Sequence, residues 1–267
     1  MARRLRYSMR SFGGLSANAS HRFAANFALQ HFDSQAVYSF IPKNGCSTMR
    51  YSLAIANGCI SGPAQFNWIH RNNATFVASL RDLVTTPYAF TILRCPYARV
   101  LSAFLDKIVS RERPFWSFTD AMNDKGAGDG ISFRRFVETL MTPGIFRSDP
   151  HWRPQVDFLA LEDYDDYFQL EDFEHMHSRL AARIGFDVND ARALSGHGSS
   201  YQKEVVTNEQ ASDIPAEELF AMKANGVSID LNCFYDDVLR EKVRKIYKDD
   251  FDFRTNVLGD RAISMWS

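Results

Sequence analysis

Ala36-Val37-Tyr38-Ser39-Phe40-Ile41-Pro42-Lys43-Asn44-Gly45-Cys46-Ser47-Thr48 is the stretch on which the fold turns. Its first six residues are β-branched, aromatic or small, the composition of a short buried strand. Pro42 ends that strand. From Ser47 apolar residues return at helical spacing through Met49, Leu53 and Ile55, and Asn57-Gly58 supplies a stop. The loop Pro42–Thr48 therefore joins a strand to a helix, and such a joint is an anion site. Backbone N–H groups point at the ligand and the helix start adds partial positive charge. Gly45 permits close approach of the backbone, Ser47 and Thr48 add hydroxyls, and Lys43 adds a mobile ammonium.

Other loops of this general kind fit less well. A nucleotide triphosphate loop of the GxxxxGK[ST] type has its lysine after the last glycine, whereas Lys43 precedes Gly45. A cysteine-phosphatase cradle needs an arginine six positions after its cysteine, and Arg50 follows Cys46 by only four. A plain strand-to-helix turn with Ser47 as N-cap remains the structural alternative.

Working outward, a second strand–turn–helix follows. Tyr88–Leu93 is an apolar run, Pro96 breaks it, and Val100, Leu101, Phe104, Leu105 and Ile108 then repeat at helical spacing. Helical patterns recur over Ile131–Met141, over Phe173–Ile184 with a stop at Gly185, after Pro215, and over Tyr235–Tyr247. Tyr167–Leu170 reads as a further strand. Alternating strands and helices predict an α/β fold with a mainly parallel sheet covered by helices. The gap from Asp120 to Gly130 is the candidate lid.

Composition narrows the function classes. The 267 residues are 45% hydrophobic with a net charge of −1, which gives no general case for a nucleic-acid or membrane partner. Four cysteines without CxxC spacing predict separate thiols in a cytoplasmic setting, with no metal site. His175 and His177, two apart in a helical stretch, face different ways. Arg3, Arg4, Arg6, Arg10 and Arg22 all precede the first acidic residue, Asp33, so residues 1–34 read as a basic, partly flexible arm, 35–255 as the main domain and 256–267 as a tail. No stretch has the roughly 20 apolar residues of a membrane span. The start lacks the apolar run of a secretory signal.

Taken with Ile41–Thr48, the segment Ile92-Leu93-Arg94-Cys95-Pro96-Tyr97-Ala98-Arg99-Val100-Leu101-Ser102-Ala103-Phe104 resembles the carbohydrate sulfotransferases, the family of chondroitin/dermatan 4-O- and heparan 2-O-sulfotransferases. Their pattern is a PKxG-S/T loop and then R-x-P-x-x-R-x-x-S-A-aromatic at a helix start. Asp149-Pro150-His151-Trp152-Arg153-Pro154-Gln155 is similar to the HWxPQ stretch of the 4-O branch, and Ile246–Phe251 to the family's closing segment. The resemblance implies a P-loop-like, three-layer sulfotransferase fold and 3′-phosphoadenosine-5′-phosphosulfate (PAPS) as donor, with adenosine 3′,5′-bisphosphate (PAP) as product. On that mapping Lys43, Asn44, Gly45, Cys46, Ser47 and Thr48 hold the 5′-phosphosulfate. Arg94 and Ser102 hold the 3′-phosphate, with Arg99 a second basic candidate. Physically, a guanidinium beside a hydroxyl suits a terminal phosphate dianion; against it, Arg99 and Ser102 at i,i+3 would merely solvate a helix face.

Transfer also needs a group to take the acceptor's proton. His70, in Phe66-Asn67-Trp68-Ile69-His70, is the candidate base, since the 2-O-sulfotransferases resemble this chain in placing a catalytic histidine ahead of the 3′-phosphate motif. Those relatives often carry a second histidine nearby, where Asn72 and Asn73 stand here. His151 is the rival. Trp152, Arg153, Ser199 and Lys203 complete the candidate substrate or lid residues. The expected activity is sulfuryl transfer to a hydroxyl, by resemblance that of a glycan. A non-catalytic adenosine-bisphosphate-binding protein and an ATP-dependent small-molecule kinase are the alternatives.

Overall fold

The structure is a computed structural model that describes residues 2–122, 130–194, 204–206 and 210–266. Its strands are β1 Ala28–His31, β2 Ala36–Ser39, β3 Ala89–Leu93, β4 Asp166–Gln169, β5 Glu204–Val206 and β6 Val227–Ile229. Its helices are α1 Ala19–Asn26, α2 Cys46–Ala56, α3 Leu80–Thr85, α4 Pro96–Ala103, α5 Arg113–Ala121, α6 Phe133–Leu140, α7 Phe173–Ile184, α8 Ala216–Ala224, α9 Asp237–Ile246 and α10 Lys248–Leu258. The chain divides into two compact units, Met1–Arg94 with Gln155–Gly198, and Cys95–Pro154 with Ser199–Ser267.

The first unit holds a four-stranded sheet in the order β1-β2-β3-β4. β1 runs antiparallel to β2, while β2–β3 and β3–β4 are parallel, with Ser39 opposite Thr91 and Leu93 opposite Gln169. Tyr38, Phe90, Ile92 and Phe168 form one apolar cluster with Met49 and Leu53 of α2 and Met176 and Leu180 of α7. Alternation along the strands sends Ser39 and Thr91 to the other face. There the Ser39 hydroxyl lies 2.7 Å from the Tyr164 phenol, which burial pushes up to about 12. This mixed α/β architecture, a mainly parallel sheet flanked by helices, is the predicted class and is consistent with three layers.

Helix limits follow local chemistry. Ser79 and Asp82 form a capping box on α3, and Gly185 ends α7 in the left-handed conformation at φ 63°. In the second unit Asp236 caps α9 by accepting from the Leu239 N–H at 2.7 Å. That unit's core gathers Leu101, Phe104, Phe118, Phe133, Phe136, Trp152 and Tyr247. The helix expected as one piece after Pro96 passes from α-helical to a π-helical stretch at Phe104–Val109.

Both ends of the described chain carry ordered contacts. Residues 2–34 do not stand off as an arm: they carry α1 and the edge strand β1, and Leu5 is buried and bridged to Leu161. Within this segment Arg3 pairs with Asp165 and Arg4 with Glu162. The C-terminal residues are also packed. Trp266 lies 4.6 Å from the Tyr97 ring, and the Arg240 guanidinium lies 4.4 Å above Trp266. The lid loop expected between Asp120 and Gly130 falls mostly outside the described residues, as do Ser199 and Lys203.

Candidate active site

Because β2, β3 and β4 are parallel, their C-terminal ends share one edge of the sheet, the place where ligands bind in open α/β folds. The loop after β2 and Arg94 after β3 meet there. Lys43 and Gly45 both adopt the left-handed conformation, at φ 72° and 73°, on either side of Asn44. For a residue with a side chain this costs about 1–2 kcal/mol and persists only where the surroundings enforce it. Here they do. The Arg94 guanidinium donates from Nη1 to the Lys43 carbonyl at 2.9 Å. The Asn44 side chain donates from Nδ2 to the Ile92 carbonyl at 2.8 Å and to Gln155 Oε1 at 2.6 Å.

The helix that follows begins without a side-chain cap. Its N-cap is Gly45, not the Ser47 of the plain-turn alternative, so no side chain of the cap position covers the amides of the first turn. A Cβ at Gly45 would lie 2.9 Å from Leu170 Cδ1, so the position is closed on the protein side. Ser47 is half-buried at this start. Thr48 is buried, and its hydroxyl accepts from the Ala191 N–H at 3.4 Å. Cys46 packs partly into the apolar cluster of the unit. Asn44, expected among the ligand contacts, is fully buried, and its side-chain Nδ2 ties the loop to the fold.

His70 ends a 3-10 stretch, Pro63–His70, and is exposed. Its ring meets Phe66 edge-on at 5.6 Å, and with Asn67, Trp68, Arg71 and Asn72 it lines an open cavity of about 540 Å³. Arg50 of α2 donates to the Ile69 carbonyl, beside His70, while its guanidinium lies 5.6 Å from the Phe40 ring. The helix that follows the loop thus also holds the histidine segment. Sequence reading gave Arg50 no role beyond its phosphatase spacing, because only the fold brings Ile69 to it.

In the second unit the expected residues separate into two kinds. His151 has its Nδ1 2.6 Å from Asp149 Oδ1, and its N–H donates to the same oxygen at 2.8 Å. Ser102 is half-buried on α4. Arg153 is half-buried, with Nη1 3.4 Å from the Arg147 carbonyl. Trp152, expected as a substrate or lid residue, is a core residue instead. It is 1% exposed, donates to the Ile145 carbonyl at 3.0 Å, and lies edge-on to Phe118 and Phe136. Arg99 is likewise 1% exposed; it donates to the Pro150 carbonyl at 3.3 Å. The Tyr247 phenol, raised chiefly by burial, is held down by the Arg99 charge and raised further by Asp250. Arg99 therefore supports the His151 segment from inside the unit, which its i,i+3 spacing from Ser102 does not reveal.

Gln155 received no role from the sequence. Its amide accepts from the Arg94 N–H at 3.0 Å and donates to the Arg94 carbonyl at 3.0 Å, besides receiving Asn44. Its one sequence signal is its place at the end of the family-like stretch after His151.

The loop thus leads into a helix start that carries no side-chain cap and is braced by the arginine that follows the neighbouring parallel strand. The chain matches the model of the sulfotransferase family over residues 28–253 and belongs to that family. It is similar to human carbohydrate sulfotransferase 14, with 25% identity over 138 residues that cover 44% of this chain and 35% of that protein. The match thus spans about a third of that relative's length. No solved structure matches the chain. Among the described residues no helix is long and apolar enough to cross a membrane.

Proposed function

We propose that this protein transfers a sulfuryl group from PAPS to a hydroxyl of a carbohydrate acceptor. The observation that carries the reading is the bond from Arg94 Nη1 to the Lys43 carbonyl, which ties together the two motifs the family resemblance assigns to opposite ends of one donor. The open first turn of α2 fits the 5′-phosphosulfate, since backbone amides and the helix dipole favour anions. Arg94 and Ser102 as holders of the 3′-phosphate rest on the sequence pattern. The carbohydrate acceptor rests on the relative's name. A cytoplasmic setting belongs to the same proposal and rests on the spacing of the four cysteines.

The reaction asks little covalent chemistry of the chain. A bond forms between the acceptor oxygen and sulfur as the bond from sulfur to the 5′-phosphate oxygen breaks. The acceptor's proton passes to His70, and the electron pair of the broken bond stays on the phosphate. Lys43 and the α2 amides stabilise the charge that develops there. Alignment of the groups supplies much of the rest. His70 is exposed on an open cavity, where an acceptor can approach it, and this supports its role as base. A second reading of the base is favoured by one observation, the Asp149–His151 pair, because a carboxylate on Nδ1 orients an imidazole to accept at Nε2.

The test is transfer of radiolabelled sulfate from PAPS to a panel of sugars, together with calorimetric binding of adenosine 3′,5′-bisphosphate. Lys43→Ala is expected to lose about 100-fold or more in turnover. His70→Ala should lose about 100-fold or more while binding the bisphosphate as the wild type does. Wild-type turnover in Lys43→Ala would sink the reading. A fully active His70→Ala, with an inactive His151→Ala, moves the base to His151.

A further inference from the structure

β4 pairs with β3 only as far as Leu93, where the Leu170 N–H donates to the Leu93 carbonyl at 2.9 Å. The next residue, Arg94, is the one whose backbone must be aimed if its guanidinium is to reach both loop and ligand. A backbone that leaves a sheet still needs partners for its N–H and C=O. Gln155 supplies both. Its side-chain amide takes the Arg94 N–H on Oε1 and gives Nε2–H to the Arg94 carbonyl, each at 3.0 Å, as a neighbouring strand would. The same Oε1 receives Asn44 Nδ2 at 2.6 Å. Asn44 is flanked by the two left-handed residues of the loop. One buried amide, 2% exposed, therefore fixes both the loop after β2 and the residue after β3.

We infer that Gln155 is a positioning residue for the donor: it sets the distance between the anion loop and Arg94, and its loss loosens donor binding without removing any group that touches the donor. This rests on the PAPS reading above. The chemistry makes it testable, because the role needs one acceptor and one donor in the same place. Leucine has neither. Glutamate has the acceptor at all pH values, but regains the donor only when protonated, and burial raises a carboxyl's pKa. A protonated glutamate has nearly the shape of glutamine and offers the one acceptor and one donor that the two Arg94 bonds use.

The experiment measures adenosine 3′,5′-bisphosphate affinity by calorimetry, and PAPS KM and kcat, for the full chain and for Gln155→Leu and Gln155→Glu. For Gln155→Leu the Kd and the donor KM should each rise about tenfold or more, as expected for buried bonds left unmade, with a much smaller change in kcat. For Gln155→Glu, the Kd relative to wild type at the same pH should approach one near about pH 5 and rise on going to about pH 8. That recovery is what a merely structural role does not produce. Wild-type binding with Gln155→Leu unchanged, or a Gln155→Glu ratio flat with pH, overturns the positioning role and leaves the donor reading standing. If Gln155→Leu does not fold, the Gln155→Glu ratio decides alone. A wild-type chain that fails to bind the bisphosphate overturns the donor reading and this inference with it.

Discussion

At the scale of single residues, the loop shows how strain and support are matched. Lys43 holds a left-handed conformation that a lysine disfavours, and Arg94 answers it with a bond to the Lys43 carbonyl. Gly45 holds the same conformation without penalty, and there a side chain would meet Leu170. Gly45→Ala should therefore destabilise the loop by about 1–2 kcal/mol. Its affinity for adenosine 3′,5′-bisphosphate should fall along with the stability measured by urea unfolding. An alanine variant as stable and as tight-binding as the wild type would show that the loop does not need the left-handed glycine.

At the scale of elements, β1 is the informative strand. Ala28–His31 is four residues long at the sheet's edge, too short for its alternation to register, and it lies in a stretch whose arginines, from Arg3 to Arg22, read as a flexible arm. What makes it a strand is its pairing with β2. His31 is buried there, with Nδ1 2.7 Å from Ser34 Oγ, and burial lowers its pKa despite the opposing pull of Asp33. A lowered pKa means that the folded state binds fewer protons than the unfolded one. The stability His31 contributes is then complete above the unfolded value near 6.5 and is lost as pH falls below it. Urea midpoints measured between about pH 7.5 and pH 5 should decline, and less steeply in His31→Gln. Equal slopes would remove His31 from the account and leave His21, which burial also lowers, as the candidate.

At the scale of the whole molecule, each unit has its own core, and the residues between the motifs serve those cores. Trp152 is the clearest case. Its ring sits among Phe118 and Phe136, its indole N–H is bonded, and its own carbonyl accepts from the Tyr247 phenol at 2.6 Å. Trp152→Ala should cost about 3–5 kcal/mol in chemical unfolding. A loss below about 1 kcal/mol would return Trp152 to the candidate substrate residues. The neighbouring His151 segment depends on this packing and on the buried Arg99, so family-like residues can be retained for support as well as for contact with a ligand.

By itself, the amino-acid sequence determined the strand–loop–helix at Ala36–Ala56, the second one at Ala89–Ala103, the α/β class, and the residues that identify the family. Those features depend on composition, period and spacing along the chain, all of which are local. Only the tertiary structure decided that Asn44 faces inward, that Trp152 and Arg99 are interior, that the basic start of the chain lies on the fold, and that Gln155 joins loop to strand. Each of those depends on a partner far along the chain, such as Gln155 for Asn44 or Asp165 for Arg3, and the burial that makes such pairs matter exists only once the sheet has assembled.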